Sequence, residues 1–369
     1  MAIARNQIGN LSVVDVDPGD VIEPADLPTS PASPNFLLNG GLALFVGLAL
    51  GIGLAFVRER LDDRLAGRPD FEGALGAPVL AIVPKVEGWR KRKRTELAAL
   101  KAPKGAPAEA YRTIRTNLLF MAKDGDLKVI AVTSPGDGEG KTTTVANLAV
   151  SLAQADKRVV AVSCDLRKPR LHAFYGASNE LGVTSVLEHQ TTLPDAVQRA
   201  GVNTLRVLAS GPIPHNPSEL LASDELDALL ARLRGVADFV IVDTPPVLAV
   251  SDPLILSPKC DAVIIVADAS TTARGAVVHL REQLDQVGGN IIGGVFNNFD
   301  PSRAKDYSSY YRYYYSYRYQ PEDETPRARA SEPVHDRSPG DGTTVQVKEG
   351  ESGTSPSPEN IWRTEDVWR

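Results

Sequence analysis

Val129-Ile130-Ala131-Val132-Thr133-Ser134-Pro135-Gly136-Asp137-Gly138-Glu139-Gly140-Lys141-Thr142-Thr143 reads as an apolar strand, a glycine-rich turn and the first turn of a helix. Such a turn aims backbone N–H groups at a polyphosphate, with the positive end of the helix dipole behind them. In that arrangement Lys141 neutralises the β- and γ-phosphates and the Thr142 hydroxyl ligates Mg²⁺. Gly136, Asp137, Gly138, Glu139, Gly140 and Thr143 complete the nucleotide cradle, so ATP and Mg²⁺ are the cofactors this segment implies. The strict P-loop pattern has glycine where Pro135 stands, so the match departs at its first position.

Short apolar runs continue on both sides of this segment. They predict strands over 128–134, 158–165, 204–210, 238–244, 262–268 and 291–296. Helical periodicity fills 141–155, 218–234 and 274–287. Nearly continuous apolar strands alternating with helices predict an α/β fold, a mostly parallel sheet covered by helices on both faces. In such sheets ligand groups stand at the carboxyl ends of the strands. Two aspartates qualify. Asp243 closes Phe239-Val240-Ile241-Val242 in the Walker B manner, and Asp165 closes the run that ends Val162-Ser163-Cys164. The competing role for either carboxylate is a helix N-cap.

The length of 369 residues and 43% hydrophobic content supply a packed domain with chain to spare. A net charge of −6 argues against a chain built to bind nucleic acid. Cys164 and Cys260 form neither a disulfide framework nor a zinc cluster. Residues 36–57 carry no charge and a single amide, Asn39, which predicts one transmembrane helix. Arg58, Arg60, Arg64 and Arg68 follow it, against Arg5 alone before it. The positive-inside bias therefore puts the N-terminus outside the cell membrane and the rest of the chain in the cytoplasm.

The expected organisation is an extracytoplasmic segment 1–35, the span 36–57 and a juxtamembrane basic linker 58–104. A P-loop domain 105–300, a Tyr-rich segment 301–320 and a tail over 321–369, expected to be disordered because it has no periodicity, follow. The linker holds Trp89-Arg90-Lys91-Arg92-Lys93-Arg94, either a contact for anionic membrane lipid or a solvated loop. Of the ten tyrosines, eight lie at 307, 310, 311, 313, 314, 315, 317 and 319.

Taken together these segments resemble the bacterial tyrosine kinases of capsule and exopolysaccharide synthesis, relatives of the deviant-Walker ATPases that position division sites and plasmids. The resemblance covers about residues 105–320. Glu109, Arg112 and Arg115 match the family's ExxRxxR helix, which implies a subunit interface within a ring. Gly138–Thr143 matches its Walker A segment, and Asp165-Leu166-Arg167-Lys168-Pro169-Arg170-Leu171-His172 its Walker A′ motif. Asn216-Pro217-Ser218-Glu219-Leu220-Leu221, Asp243-Thr244-Pro245-Pro246 and Asp252 follow in the family's order. Phe296-Asn297-Asn298 resembles the segment bordering adenine, which makes Asn297 nucleotide-binding. Upstream, Pro28-Thr29-Ser30-Pro31-Ala32-Ser33-Pro34 and the span look like the end of a Wzz-like chain-length determinant domain, so 1–35 is expected to be its remnant.

The resemblance implies a membrane-anchored protein-tyrosine autokinase that regulates polysaccharide polymerisation and export. It implies catalytic roles for Lys141, Asp165 and Asp243, with Thr142, Asp165 and Asp243 holding the metal. Tyr307, Tyr310, Tyr311, Tyr313, Tyr314, Tyr315, Tyr317 and Tyr319 become the phosphoacceptors. The implied partners are further copies of the chain, polysaccharide polymerase and export proteins of the membrane, and a cognate tyrosine phosphatase. One departure bears on rate. The family's A′ motif is Asp-x-Asp, and its first aspartate is Ser163 here, which cannot act as a base near neutral pH. That substitution keeps open an ATP-binding scaffold without catalysis. A partition-protein-like ATPase switch is the third reading; its signature lysine would fall at Gly136.

Overall fold

Runs such as Val159-Val160-Ala161-Val162 offer apolar side chains to both sides of a strand, and the sheet they build is buried on both faces. The computed structural model describes residues 34–61, 63–86, 97–124, 127–300 and 367–368. Its eight strands are β1 (Val79–Pro84), β2 (Val129–Thr133), β3 (Val159–Ser163), β4 (Val197–Arg199), β5 (Leu205–Leu208), β6 (Phe239–Asp243), β7 (Ala262–Asp268) and β8 (Ile291–Phe299). Their spatial order is β1-β8-β7-β2-β6-β3-β5-β4, and all neighbours are parallel except β4 with β5.

Among the described residues two helices precede β1: α1 (Phe36–Leu61), and α2 (Arg68–Leu75) within the sheet domain. Next come α3 (Ala98–Lys101), α4 (Ala106–Met121), α5 (Lys141–Ala153), α6 (Leu171–Tyr175), α7 (Val183–Leu187) and α8 (Leu193–Ala196). The last four are α9 (Pro217–Ala222), α10 (Asp224–Val236), α11 (Asp252–Leu256) and α12 (Arg274–Gln286). One core cluster joins α4 and α5 to Ile130, Val132, Ile241 and Ile264; the other joins α2, α10 and α12 to Val129, Ala131, Val240 and Ile265. Adjacent strand residues thus face opposite helical layers, the alternation a pleated strand dictates.

Helix α10 shows how the layers are held. Leu226, Leu229, Leu230 and Leu233 recur on one face and are buried. Asp224, Glu225 and Asp227 stand in its first turn and Arg234 in its last, each complementing the helix dipole. Burying one such leucine is worth about 1.5–3 kcal/mol. Helix α5 has no solvent-exposed face beyond its first turn; Thr144 to Ala153 are all buried, polar Asn147 and Ser151 included, which makes it the central helix behind the P-loop.

The predicted strand positions are occupied, with three differences elsewhere. The sequence reading makes 58–104 a linker, but α2 and β1 lie there, and β1 pairs with β8 at the sheet edge. Val79–Pro84 is short and lies between prolines, and its partner strand is at the far end of the domain, so no local signal marks it. Gly294 of β8 lets α2 close down: a Cβ there would stand 2.6 Å from the Phe71 ring, which stacks on Phe296. The helix predicted over 218–234 is two helices, because Ser223 is extended at ψ 157° and its hydroxyl donates to the Leu220 carbonyl. The tail 321–369 is not featureless to its end, since Val367 is buried in the core cluster and Trp368 packs against it.

Helix α1 is long and apolar enough to cross a membrane, and its side chains from Phe36 to Arg58, Leu37 and Leu44 among them, are exposed. The segment up to residue 33 that is expected to be extracytoplasmic, the basic block 89–94 and the Tyr-rich segment 301–320 lie outside the described residues.

Candidate active site

The turn between β2 and α5 is built on two left-handed glycines, Gly138 at φ 79° and Gly140 at φ 99°. Gly140 also has no room for a side chain, because an added Cβ would lie 2.1 Å from Asn297 Nδ2. Asn297, near the end of β8, donates that amide to the Glu139 carbonyl at 2.8 Å and so braces the P-loop backbone. Within the loop the Ser134 hydroxyl donates to Gly136 O at 2.6 Å, and the Gly136 N–H donates to Glu139 Oε1 at 2.9 Å. Burial pushes the Glu139 carboxyl up to about 7, although the Gly136 N–H favours its ionised form. The Val247 N–H donates to Ser134 O and the Thr133 hydroxyl to Pro245 O, which ties the turn after β6 to the P-loop strand.

Lys141, Thr142, Asp165 and Asp243 meet at the carboxyl ends of β2, β3 and β6. Thr142 Oγ1 donates to Asp243 Oδ1 at 3.2 Å. Asp243 is fully buried, and its Oδ2 accepts no hydrogen bond. Burial pushes this carboxyl up to about 7; Lys141 opposes the shift and Asp165 adds to it. Lys141 Nζ stands 3.1 Å from Asp165 Oδ2, with both side chains nearly enclosed. Burial disfavours the Lys141 charge, but Asp243 and Asp165 outweigh it and hold the ammonium above its ordinary range. Asp165 Oδ1 accepts from the Lys168 N–H at 2.9 Å, which fixes the carboxylate at the loop entrance.

A buried carboxylate oxygen without a donor beside a threonine hydroxyl is oxygen-ligand chemistry suited to a hard divalent cation. No cluster of three or more His, Cys, Asp or Glu occurs among the described residues. Mg²⁺ binds through one or two carboxylates while phosphates and water fill its other positions. The residues present therefore fit Mg²⁺ with a polyphosphate.

Further contacts join the A′ segment to its surroundings. Lys168 Nζ pairs with Asp137 Oδ2 at 2.9 Å across the mouth of the P-loop. Arg167 donates to Asp252 Oδ2 at 2.8 Å and Oδ1 at 3.0 Å, and to the Ser218 hydroxyl at 2.9 Å. Ser218 donates in turn to Asp252 Oδ1 at 2.7 Å. One guanidinium thereby ties the A′ loop to the starts of α9 and α11, and its hydrogen bonds hold the Asp252 carboxyl below its usual range despite burial. The sequence reading quotes these segments but assigns Arg167, Lys168, Ser218 and Asp252 no partner. Only their motif order hinted at it.

Glu109, Arg112 and Arg115 lie on α4, apart from the phosphate cradle. Arg112 pairs with Glu109 at 2.7 Å and donates to Pro103 O, while Arg115 donates to Ser151 O on α5. Ser163 is fully buried with an unpartnered hydroxyl, beside Asp243 in the β3–β6 register. The eight tyrosines of 307–319 lie outside the described residues.

Residues 127–292 match a family model described as an AAA domain. The chain is 33% identical over 325 residues to the putative tyrosine-protein kinase EpsB of Ralstonia solanacearum. That alignment takes in 86% of this chain and 41% of the relative, so the chain spans about two fifths of that protein's length. It is 39% identical over 219 residues to the tyrosine-protein kinase YwqD of Bacillus subtilis, covering 59% of this chain and 92% of YwqD. The solved kinase domain of Escherichia coli tyrosine kinase ETK superposes with a TM-score of 0.59 at 31% identity, over 63% of this chain and 94% of that domain.

Proposed function

The chain belongs to the bacterial tyrosine-protein kinases, and from that premise we propose that it transfers the γ-phosphoryl group of ATP to tyrosines of its own tail, at the inner face of the cell membrane. The observation that carries the reading is the meeting of Lys141, Thr142, Asp165 and Asp243 at three strand ends behind a glycine-rich turn. A polyphosphate on the N–H groups of that turn draws Lys141 away from Asp165 and towards the transferring oxygens. Thr142, Asp243 and Asp165 would hold Mg²⁺, which when bound supplies charge neutralisation between the β- and γ-phosphates. Asn297 and the left-handed glycines keep the loop in its open curl, and Arg167 sets the A′ segment against α11.

The acceptor of the reading is the run Tyr307 to Tyr319 on a neighbouring copy, with ring packing through Glu109, Arg112 and Arg115. Each phosphate adds about −1.5 to −2 charges, so several together turn the tail strongly anionic and oppose close packing of copies. The bias of Arg58, Arg60, Arg64 and Arg68 supports a cytoplasmic catalytic domain. Control of polysaccharide polymerisation and export, with export proteins and a tyrosine phosphatase as partners, completes the proposal on family grounds.

The test is phosphopeptide mapping of the full chain in detergent with Mg·ATP, beside Lys141→Met. Phosphate on residues 307–319 in the first protein and not the second supports the autokinase. An unmodified tail despite measured ATP binding supports a second reading, an ATP-dependent scaffold, which the buried serine at 163 favours.

A further inference from the structure

Arg206, on β5, is buried, and its guanidinium is surrounded by carbonyl oxygens. Nη1 donates to Asn203 O at 2.9 Å and to Leu205 O at 3.2 Å. The other two donors leave the sheet. Nε donates to Val367 O at 3.1 Å and Nη2 to Trp368 O at 2.9 Å, so two successive carbonyls at the far end of the chain fill one arginine fork. The guanidinium carbon lies 5.0 Å from the centre of the Trp368 ring, a cation–π geometry. Trp368 Nε1 donates to Val236 O at 3.0 Å. Val236 is the last residue of α10, and a carbonyl at a helix C-terminus has no partner within the helix. Val367 is 3% exposed and joins the core cluster of that face.

We propose that the cleft made by Arg206, Asn203 and the end of α10 is a peptide-docking site, occupied by the chain's own Val367-Trp368 pair. The ligand it takes is a peptide segment with a tryptophan and two carbonyls in a row. The cleft stands away from the phosphate cradle. The P-loop stands at the carboxyl ends of the strands, whereas Val236 precedes β6 and Arg206 lies in the first half of β5, at the opposite end of the sheet. This inference does not depend on the kinase reading, because nothing in the cleft touches the P-loop residues.

The test uses the full chain in detergent, without nucleotide. Removal of residues 367–369 is expected to lower Tm by about 4 °C, and Trp368→Ala to do nearly the same. Neither change replaces a residue of the sheet, and a cooperative melt in each variant separates a lost contact from a misfolded domain. Arg206→Ala should lower Tm as well, and adding Trp368→Ala to it should cost little more, the signature of a shared contact. A labelled peptide of residues 361–369 should bind the shortened chain, and its Trp368→Ala form about tenfold more weakly. Unchanged melting together with no peptide binding would overturn the docking site. A fall in oligomer mass on removing 367–369 would place the docked pair on a neighbouring copy and overturn docking within one chain.

Discussion

Asp165 holds the P-loop lysine: its Oδ2 lies 3.1 Å from Lys141 Nζ, while its Oδ1 accepts the Lys168 N–H. On the proposed function, the A′ carboxylate occupies the place beside Lys141 that the phosphate oxygens of ATP would take. Lys141→Met should therefore lower autophosphorylation by about 10²–10³-fold, since a charge aimed at the transferring group is removed. Asp165→Asn should leave Lys141 beside Asp243 alone. Radiolabel transfer from γ-labelled ATP checks both variants, and transfer at the unaltered rate in Lys141→Met would refute the assigned role.

Ser163 and Asp243 are register partners at the ends of β3 and β6, and the serine hydroxyl has no hydrogen-bond partner. Ser163→Asp would put a second carboxylate beside one that already resists ionisation. Without nucleotide the variant should melt lower, from like-charge repulsion in a buried site. With Mg·ATP it should work about 10²-fold faster if a missing base limits the rate. A lower Tm with no gain in rate would show that the serine enzyme lacks nothing the aspartate supplies.

Glu139 gives a pH dependence with a definite sign. Its carboxyl sits near 7 in the folded chain against 4.5 ordinarily, so the folded state retains a proton that the unfolded state has lost. Its contribution to stability is complete below about 4.5 and is lost as pH rises through about 7. The largest slope for one proton is ~1.4 kcal/mol per pH unit. Thermal melts of the nucleotide-free protein from pH 5 to 8 should decline less steeply in Glu139→Gln than in the parent; parallel curves would exclude the assignment.

Gly140→Ala should abolish nucleotide binding while the domain still melts cooperatively. The position is left-handed at φ 99°, and the added methyl would run into Asn297. The backbone conformation alone costs about 1–2 kcal/mol with a side chain present. Asn297→Ala should recover part of the loss in the double variant, by relieving the contact and not the strain. Calorimetric titration with Mg·ADP measures both; equal losses in the single and double variants would show that strain alone decides.

Much of the catalytic domain is written in local chemistry. Apolar runs mark β2, β3, β6 and β7, because a strand buried on both faces has no place for polar side chains. Gly-Lys-Thr after such a run marks the phosphate turn, because only glycine tolerates its backbone angles. Which residues meet is another matter. Lys141 with Asp165, Arg167 with Asp252 and Asn297 with Glu139 are pairs brought together by strand order, and no spacing along the chain encodes that order. β1 is a strand only because β8 offers an open edge with glycines at the contact, and Val367-Trp368 has a place only because Arg206 and the end of α10 were left with groups to satisfy. Periodicity and glycine geometry act over a few residues and are legible from sequence; burial, desolvation and hydrogen-bond satisfaction between distant segments exist only once the sheet has closed.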